Sequence, residues 1–344
     1  MSLSTLNLAT CLHYINTSLH TILLKSSFTL PHHFLLISTF TLLMATIYNL
    51  ATLFIFFIIT SNFQKSFSAL VTQQPLILKY HNGELLKGPV TINLVWYGKF
   101  TPTQRSIIVD FLQSLNTVAK KTTPPPPSVA SWWKTTEKYH NGSSAVIIGK
   151  QILDENYSLG KFLKNYHIQY LAAKVANGKS INVVLTGKEV GVDGFCRSRC
   201  GTHGSTKTKT RVAYAWVGNS ETQCPGQCAW PFHQPIYGPQ GPPLVAPNAD
   251  VGVDGMVINL ATVLAGAVTN PFNQGFFQGP VSAPLEAVSA CTGIFGSGAY
   301  PGYAGEVLVD KVTGASYNAH GLNGRKYLVP AMWDPKTSSC STLV

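Results

Sequence analysis

The sequence predicts a mixed α/β domain with a central sheet, flanking helices and a disulfide-rich C-terminal half. One observation is a strand pattern at 90–98 that runs into a capped helix, which is how an α/β unit opens. The second is the apolar run 256–268, which is rich in Ala and Leu and lacks the alternation of a strand. The third is a group of four cysteines between positions 196 and 228. We therefore expect one domain over residues 70–344.

The N-terminal segment has the composition of a leader. The first 69 residues contain no Asp or Glu, and 34–60 carries no charge. Read from Met44, an apolar core is followed by small residues that predict a signal peptide over 44–69, cleaved after Ser68 or Ala69. Read from Met1, the uncharged run is long enough to anchor the chain in a bilayer. The small residues favour the cleaved signal, and residues 1–43 then form a mis-annotated upstream extension.

After the leader, the chain alternates between strand and helix patterns. Residues 77–86 predict a hairpin that turns at Asn82-Gly83, and 90–98 predicts a sheet strand. A helix should begin at Pro102, with Thr101 as its N-cap and Gln104 completing a capping box. The predicted helices are 102–117, 129–139, 161–175 and 256–268, the last closed by Asn270-Pro271, and further strands are predicted at 146–152, 181–186 and 210–217.

Two features of the middle segment suggest surface or core roles. Four prolines at 124–127 predict an extended loop, and the paired Trp132 and Trp133 either pack in the core, which we favour, or stack on sugar rings. Asn141 and Asn156 each begin an N-glycosylation sequon in what should be surface turns.

The pentapeptide Val-Gly-Val-Asp-Gly occurs twice, at 190–194 and 251–255. We interpret each copy as a strand end that turns at Asp-Gly. The alternative is a cation held by the two carboxylates, although each copy offers only one acid. The first copy leads into the cysteine cluster, and the second leads into the apolar helix.

Cysteine usage indicates an oxidising compartment. Cys11 belongs to the leader, and an even number of cysteines remains in an exported chain, which predicts three disulfides. We expect the pair Cys196 and Cys200 to be bridged to the pair Cys224 and Cys228, in a nested arrangement around 210–217 that leaves the individual partners open. We expect Cys291 to be joined to Cys340. The alternative is a four-thiolate zinc site, near which His203 and His233 lie in the sequence.

Composition and charge limit the classes of partner. Charged residues make up 11% of the chain, well below the usual quarter or so. The net charge is +11, and it is +9 after Leu70 because two bases and no acid precede that residue. No Lys/Arg block concentrates this charge, which argues against nucleic acid. A polyanionic matrix, such as acidic cell-wall polysaccharide, suits the diffuse positive charge better.

Several strings in the chain carry a family resemblance. They are residues 94–98, 131–133, 190–204, 251–271, 286–296 and 301–305. Together they resemble the phosphate-induced, or Exordium-like, protein family of plants over about residues 74–344. The resemblance implies a secreted apoplastic or cell-wall protein that promotes cell expansion and growth under brassinosteroid, phosphate or carbon-status control. It implies no established catalysis.

The apolar helix also resembles, weakly, the active-site helix of zinc peptidases. In that comparison Thr262 and Gly266 stand at the metal-ligand positions and Val263 stands at the general base. A zinc peptidase needs imidazoles to hold the metal and a carboxylate to accept the proton of the bound water. We therefore expect a degenerate zinc-peptidase core without metal, cofactor or hydrolase activity.

Two other catalytic templates are weak. Ser289, His203 and Asp193 could be written as a triad, but no nucleophile-elbow motif surrounds the serine. Glu286 and Glu306 bracket a Gly-rich loop at 293–305 and form the best candidate carboxylate pair for a glycosidase. We favour ordinary structural roles for both acids.

The same loop supports a binding interpretation. Phe295, Tyr300 and Tyr303 could line a groove for sugar or peptide, with Glu286 and Glu306 at its ends. The leading prediction is a secreted, monomeric, non-enzymatic growth regulator that binds cell-wall polysaccharide or a surface protein and has no membrane contact after signal cleavage. The alternatives are a hydrolase of wall polysaccharide or peptide and a membrane-anchored form of the same domain.

Overall fold

The computed structural model describes residues 44–55, 75–116, 124–177, 180–197, 199–206 and 211–344. The chain divides into two compact units, 1–73 and 74–344. In the first unit, helix α1 (Met44–Ile55) is apolar and lies within the predicted leader. The predicted extension 1–43, Cys11 and the cleavage positions Ser68 and Ala69 fall outside the described residues.

The second unit contains a five-stranded sheet in the order β3-β2-β5-β8-β7. Four neighbouring strands run parallel, and β7 pairs with β8 in the antiparallel direction at one edge. These strands are β2 (Gly88–Tyr97), β3 (Ser143–Asp154), β5 (Ser180–Thr186), β7 (Gly201–Ser205) and β8 (Ala213–Gly218). The strands predicted at 90–98, 146–152, 181–186 and 210–217 are therefore confirmed in substance.

The described residues also form five two-stranded sheets, β1-β9, β4-β6, β10-β11, β12-β13 and β14-β15. The mixed α/β class is confirmed, but a single central sheet is too simple a description. The strands of these two-stranded sheets are β1 (Lys79–Tyr80), β4 (Phe162–Leu163), β6 (Gly191–Val192), β9 (Phe276–Phe277), β10 (Leu308–Val309), β11 (Ser316–Tyr317), β12 (Ala319–His320), β13 (Lys326–Tyr327), β14 (Met332–Asp334) and β15 (Ser339–Ser341).

The hairpin predicted at 77–86 is wrong. Strand β1 pairs with the distant β9 instead of a local partner. The ring of Tyr80 stacks on Phe276 with centroids 4.8 Å apart, and His81 stacks on Phe277 at 3.9 Å. The long-range pairing is stabilised by these aromatic contacts and by the His81 N–H, which donates to the Gly275 carbonyl at 2.9 Å.

The helices of this unit largely follow the predictions. They are α2 (Pro102–Ser114), α3 (Val129–Trp133) with a 3₁₀ continuation (Lys134–Lys138), α4 (Asn165–Val175), α5 (Pro225–Cys228) and α6 (Val251–Thr269). The capping box of α2 is confirmed, since the Gln104 backbone N–H donates to Thr101 Oγ1 at 3.1 Å and the Thr101 N–H donates to Gln104 Oε1 at 3.0 Å. Helix α4 begins later than predicted because Phe162 and Leu163 pair with β6.

The two pentapeptides adopt different structures. The first forms β6 and turns at Asp193-Gly194, as predicted. The second is the first turn of α6, so its prediction as a strand end is wrong. Asp250 explains the difference, because its carboxylate caps the helix by accepting from the Val253 N–H at 2.9 Å. The helix ends at Thr269, before Asn270, as predicted.

Helix α6 is the central helix of the core. It packs against β7 and β8 of the large sheet and against α2. It is long and apolar enough to cross a membrane, but most of its residues are buried inside this domain. The predicted core residues Trp132 and Trp133 are also buried, and the Trp132 indole N–H donates to the Pro330 carbonyl at 2.7 Å.

All six cysteines of the predicted mature chain form disulfides. The bridges are Cys196–Cys224, Cys200–Cys228 and Cys291–Cys340. The predicted bridging between the two cysteine pairs is confirmed, but the bridges overlap along the chain instead of nesting. They lie side by side because Cys224 and Cys228 are one helical turn apart at α5. The four sulfurs that the alternative zinc site would need are paired in the first two of these bridges.

Candidate functional site

The loop predicted to bind a partner divides into a buried part and an exposed part. Phe295 is 3% exposed and belongs to the core, whereas Tyr300 is 62% exposed. Tyr300 and Tyr303 face each other in a tight turn, with ring centroids 5.0 Å apart. Each backbone N–H donates to the carbonyl of the other, at 3.1 and 2.8 Å. The loop therefore presents two paired tyrosine rings to solvent.

A groove of about 970 Å³ lies beside this loop. One wall is formed by residues 292–302 of the tyrosine loop, and the other by 226–239, which follow the disulfide-bonded helix α5. The exposed side chains of the second wall include Tyr237, 87% exposed, and Ile236, 55% exposed. The half-buried Trp230 also lines the groove. This lining is mainly apolar and aromatic.

Both walls are tied to the rest of the domain. The Cys196–Cys224 and Cys200–Cys228 disulfides hold the segment from which the second wall begins. Beneath the groove, the Trp230 and Phe295 rings lie 5.9 Å apart between centroids. Phe295 belongs to the same core cluster as Ile258 of α6. The groove is thus supported from below by the central helix, and Phe295 is one of its supports.

Charge in the groove is sparse and of one sign. Among the residues that line it, Arg197 is the one charged side chain, and it is exposed. No ion pair of the Arg197 guanidinium occurs among the described residues. Gln227 and Thr292 add polar groups. The groove therefore offers a cation and several rings, and no lining carboxylate opposes an anionic ligand.

Glu286 lies in a separate place, against the central helix. Its Oε2 is 2.7 Å from His203 Nε2, and its Oε1 accepts from Asn270 Nδ2 at 2.7 Å. The side chains of His203 and Glu286 are 9% and 12% exposed. His203 comes from the edge strand β7, and Asn270 caps the C-terminal end of α6. His203, Glu286 and Asn270, from three segments distant in sequence, therefore form one buried polar cluster.

The small size of Gly266 makes room for this cluster. A Cβ atom at Gly266 would lie 2.5 Å from His203 Nε2 and 2.7 Å from Glu286 Oε2. The position that corresponds to a metal ligand in the zinc-peptidase comparison is therefore filled by the imidazole and the carboxylate. Thr262 Oγ1 donates to the Ile258 carbonyl at 2.9 Å, and Val263 is buried. None of the three helix positions presents a metal ligand.

The second ring nitrogen of His203, Nδ1, is enclosed by the protein. Nδ1 is buried and has no hydrogen-bond partner in the described structure. In the neutral ring, Nε2–H donates to Glu286 and Nδ1 is an unpaired acceptor. In the charged ring, Nδ1 would be an unpaired N–H donor, which costs more free energy when it is buried. An acid–base catalyst needs hydrogen-bond reach to the proton that it transfers. The geometry fits a structural pair.

The other residues of the catalytic templates are dispersed. Ser289 Oγ accepts from the Glu286 backbone N–H at 2.8 Å and makes no hydrogen bond to His203. Asp193 is exposed at the end of β6. Glu306 is exposed, and its backbone pairs with Ser297. Among the described residues, no group of three or more His, Cys, Asp or Glu side chains could hold a metal ion.

A buried acid lies at the start of α6. Asp254 of the second pentapeptide is 2% exposed, and its carboxylate accepts from the Asn248 backbone N–H at 2.8 Å and from Asn248 Nδ2 at 2.6 Å. Burial raises the pKa of Asp254 to about 7, with the hydrogen bonds from Asn248 opposing the rise and the charge of Asp250 adding to it. Asp193 and Asp254 share no contact in the described structure, so the alternative of a shared cation gains no support.

Sequence reasoning identified one wall of the groove and missed the other. It named Tyr300 and Tyr303 but overlooked Trp230, Tyr237 and Arg197. A usable signal was present, because residues 235–243 are rich in Pro and Gly and carry aromatic and aliphatic side chains between a disulfide cluster and a helix. The sequon asparagines Asn141 and Asn156 are both exposed.

Comparison with known proteins agrees with the resemblance in the sequence. The model of the phosphate-induced protein 1 conserved region matches residues 78–343. The chain is 66% identical over 307 residues to protein EXORDIUM-like 2 of Arabidopsis thaliana, covering 88% of this chain and 100% of that protein. It is 59% identical over 277 residues to protein PHOSPHATE-INDUCED 1 of Nicotiana tabacum, covering 78% and 88%.

A further relative, protein EXORDIUM of Arabidopsis thaliana, is 58% identical over 306 residues, covering 84% of this chain and 98% of that protein. No solved structure matches the chain significantly. The matched region includes the large sheet, the central helix, the three disulfides and both walls of the groove. The chain belongs to the phosphate-induced protein 1 family, which includes the Exordium and Exordium-like proteins.

Proposed function

We propose that this protein is a secreted, plant growth-related protein of the cell wall or apoplast that acts by binding a wall or surface partner. The observation that carries the proposal is the aromatic groove between the tyrosine loop and residues 226–239. Large solvent-facing rings in a rigid concave site are typical of ligand recognition and are otherwise unfavourable to expose. Family membership supports the growth-related role.

Binding without catalysis is the better account of the polar residues. The His203–Glu286 pair is enclosed, and its free ring nitrogen is buried. The groove itself is lined by one cation and no acid. A glycosidase of the usual kind needs two carboxylates at one bond, and the acid pair considered from the sequence has one enclosed member and one exposed member.

The binding proposal is tested with purified mature protein and isolated cell walls in a sedimentation assay. Tyr237→Ala/Tyr300→Ala should abolish most of the binding. The matched control is Tyr166→Ala, because Tyr166 is 60% exposed on α4 and does not line the groove. The proposal would be contradicted if the double variant bound cell walls as well as the wild-type protein does.

Secretion forms a second part of the proposal. Three disulfides suit an oxidising compartment, and helix α1 suits the apolar core of a signal peptide. The mature chain would begin near Ala69 or Leu70, without the extension 1–43, and would function as a monomer with glycans at Asn141 and Asn156. N-terminal sequencing and glycosidase treatment of protein from the apoplastic fluid test these points. A secreted product that begins before Met44 would contradict the signal assignment, and retention in membranes would favour an anchored form.

A hydrolase remains the second candidate, and one observation favours it. His203, Glu286 and Asn270 gather beside Gly266 of α6, the position that stands at a metal ligand in the sequence comparison with zinc peptidases. We propose that this region is a degenerate zinc-peptidase core whose metal position has become a structural hydrogen-bond cluster. Cleavage of wall polysaccharide or peptide by the purified protein, lost in Glu286→Gln, would establish the hydrolase instead.

A further inference from the structure

We infer that the groove takes an acidic polysaccharide, with Tyr237 and Tyr300 stacking on pyranose rings and Arg197 pairing with a uronate carboxylate. This inference rests on the proposed binding function and adds the chemical class of the ligand.

The shape of the groove suits an extended chain of rings. Its volume of about 970 Å³ lies at the upper end of the range for ligand pockets, roughly 300–1,000 Å³. Tyr237 and Tyr300 stand on opposite walls, and both expose most of their surface. Pyranose rings present C–H groups to the electron-rich faces of such side chains.

The ring of Tyr300 is preorganised for stacking on a sugar. The mutual backbone hydrogen bonds of Tyr300 and Tyr303 fix the turn, and the adjacent ring supports Tyr300 at 5.0 Å between centroids. Little side-chain freedom is then lost when a sugar ring is placed on Tyr300. Preorganised rings of this kind raise affinity by lowering the entropic cost of binding.

Charge selects the acidic class among polysaccharides. Arg197 is the charged residue of the lining, and its guanidinium carries no ion pair among the described residues. A guanidinium can bind a carboxylate through two parallel hydrogen bonds, which a neutral hydroxyl cannot match. The absence of carboxylates from the groove lining removes repulsion, and the net charge of +9 after Leu70 attracts a polyanion over longer range.

A proline-rich peptide is the competing occupant, since aromatic grooves also bind polyproline helices. Such a peptide gives the exposed Arg197 no partner unless it carries an acid, and it gains nothing from the basic surface. The acidic polysaccharide uses the rings, the guanidinium and the net charge together. We therefore assign the groove to uronate-containing chains.

The test measures binding of the mature protein to polygalacturonate and to the same polymer after its carboxyls are reduced to alcohols. Wild-type protein should prefer the charged polymer. Arg197→Gln should lose about tenfold in affinity for it, the order expected for a hydrogen-bonded charge pair, and should bind the reduced polymer as wild type does. Tyr237→Ala/Tyr300→Ala should weaken binding to both polymers.

The matched control is Arg211→Gln, which removes the same charge from an exposed arginine outside the groove. Equal losses in the two arginine variants, or equal wild-type affinity for the two polymers, would overturn the inference. If a proline-rich peptide binds in a tyrosine-dependent manner and polygalacturonate does not, the inference fails while the binding function stands. If binding to both ligands and to wall material is independent of the two tyrosines, the proposed function fails as well. Unfolding midpoints of all variants, measured in parallel, show that each is folded.

Discussion

His203 Nε2 and Glu286 Oε2 lie 2.7 Å apart directly over Gly266 of the central helix. The contact joins the edge strand of the large sheet to the segment that follows β9, and Asn270 completes it from the end of the helix. A buried hydrogen-bonded pair of this kind specifies how distant segments meet, because separating its members would leave polar groups without partners.

Gly266→Ala should destabilise the protein. The new methyl group would lie within 2.5–2.7 Å of both members of the pair, and overpacking of this kind costs about 1–3 kcal/mol. In an uncrowded helix the same change would be stabilising by roughly 1 kcal/mol. Urea unfolding distinguishes the two signs. Gly241→Ala is the control, since a methyl group there meets no atom within 4 Å. A stabilised Gly266→Ala protein would show that the cluster is not where we describe it.

Glu286 should matter for stability and not for catalysis. Glu286→Ala leaves His203 and Asn270 without their partner and should cost about 2–3 kcal/mol of unfolding free energy. Glu286→Gln keeps a hydrogen-bonding group of the same size and should cost markedly less. Wall binding by Glu286→Gln, measured with and without a chelator, should equal that of wild type. Chelator-sensitive cleavage of a wall polymer, restored by zinc, would contradict this prediction.

The disulfides should have the overlapping connectivity. Proteolysis without reduction, followed by mass spectrometry, should yield the linked pairs Cys196–Cys224, Cys200–Cys228 and Cys291–Cys340. Removal of the last bridge by a double Cys→Ser substitution should lower stability by about 2–4 kcal/mol, because the unfolded chain regains the freedom of a long loop. Two or more free thiols in the denatured, unreduced mature protein would refute full oxidation.

Asp254 should make stability depend on pH. Its pKa is raised from 3.8 to about 7 in the folded state, so the folded protein holds this proton more tightly than the unfolded chain. The stabilising contribution is complete below pH 3.8 and is lost as pH rises towards 7, in total on the order of 4 kcal/mol. Asp254→Asn should remove this part of the slope in urea unfolding between pH 4 and pH 8. The exposed Glu306→Gln should keep it, and parallel wild-type and Asp254→Asn curves would contradict the assignment.

The aromatic loop should separate stability from binding. Phe295→Ala empties a buried site between Trp230 and α6 and should cost about 3–5 kcal/mol. Tyr300→Ala changes an exposed ring and should alter stability by no more than about 0.5 kcal/mol while it weakens wall binding. Unfolding and sedimentation of the same two proteins test the contrast. A destabilised Tyr300→Ala protein would indicate a structural role for that ring.

Local sequence was sufficient where neighbouring residues decide the conformation. The Thr101–Gln104 capping box, the end of α6 before Asn270 and the apolar strands of the large sheet could all be predicted, because caps and periodicity act within a few residues. The cysteine count likewise predicted three bridges, and the family strings led to the correct family.

Tertiary structure decided what depends on contacts between distant segments. The first copy of the pentapeptide contains β6 because residues 191–192 pair with β4, whereas the second copy lies buried in the core as the first turn of α6. The pairing of Glu286 with His203 and the meeting of Tyr300 with Tyr237 across a groove join residues that lie 63 to 83 positions apart. Spacing in one sequence carries no information about such encounters, since they result from the packing of whole elements around α6 and from the bridges that hold them there.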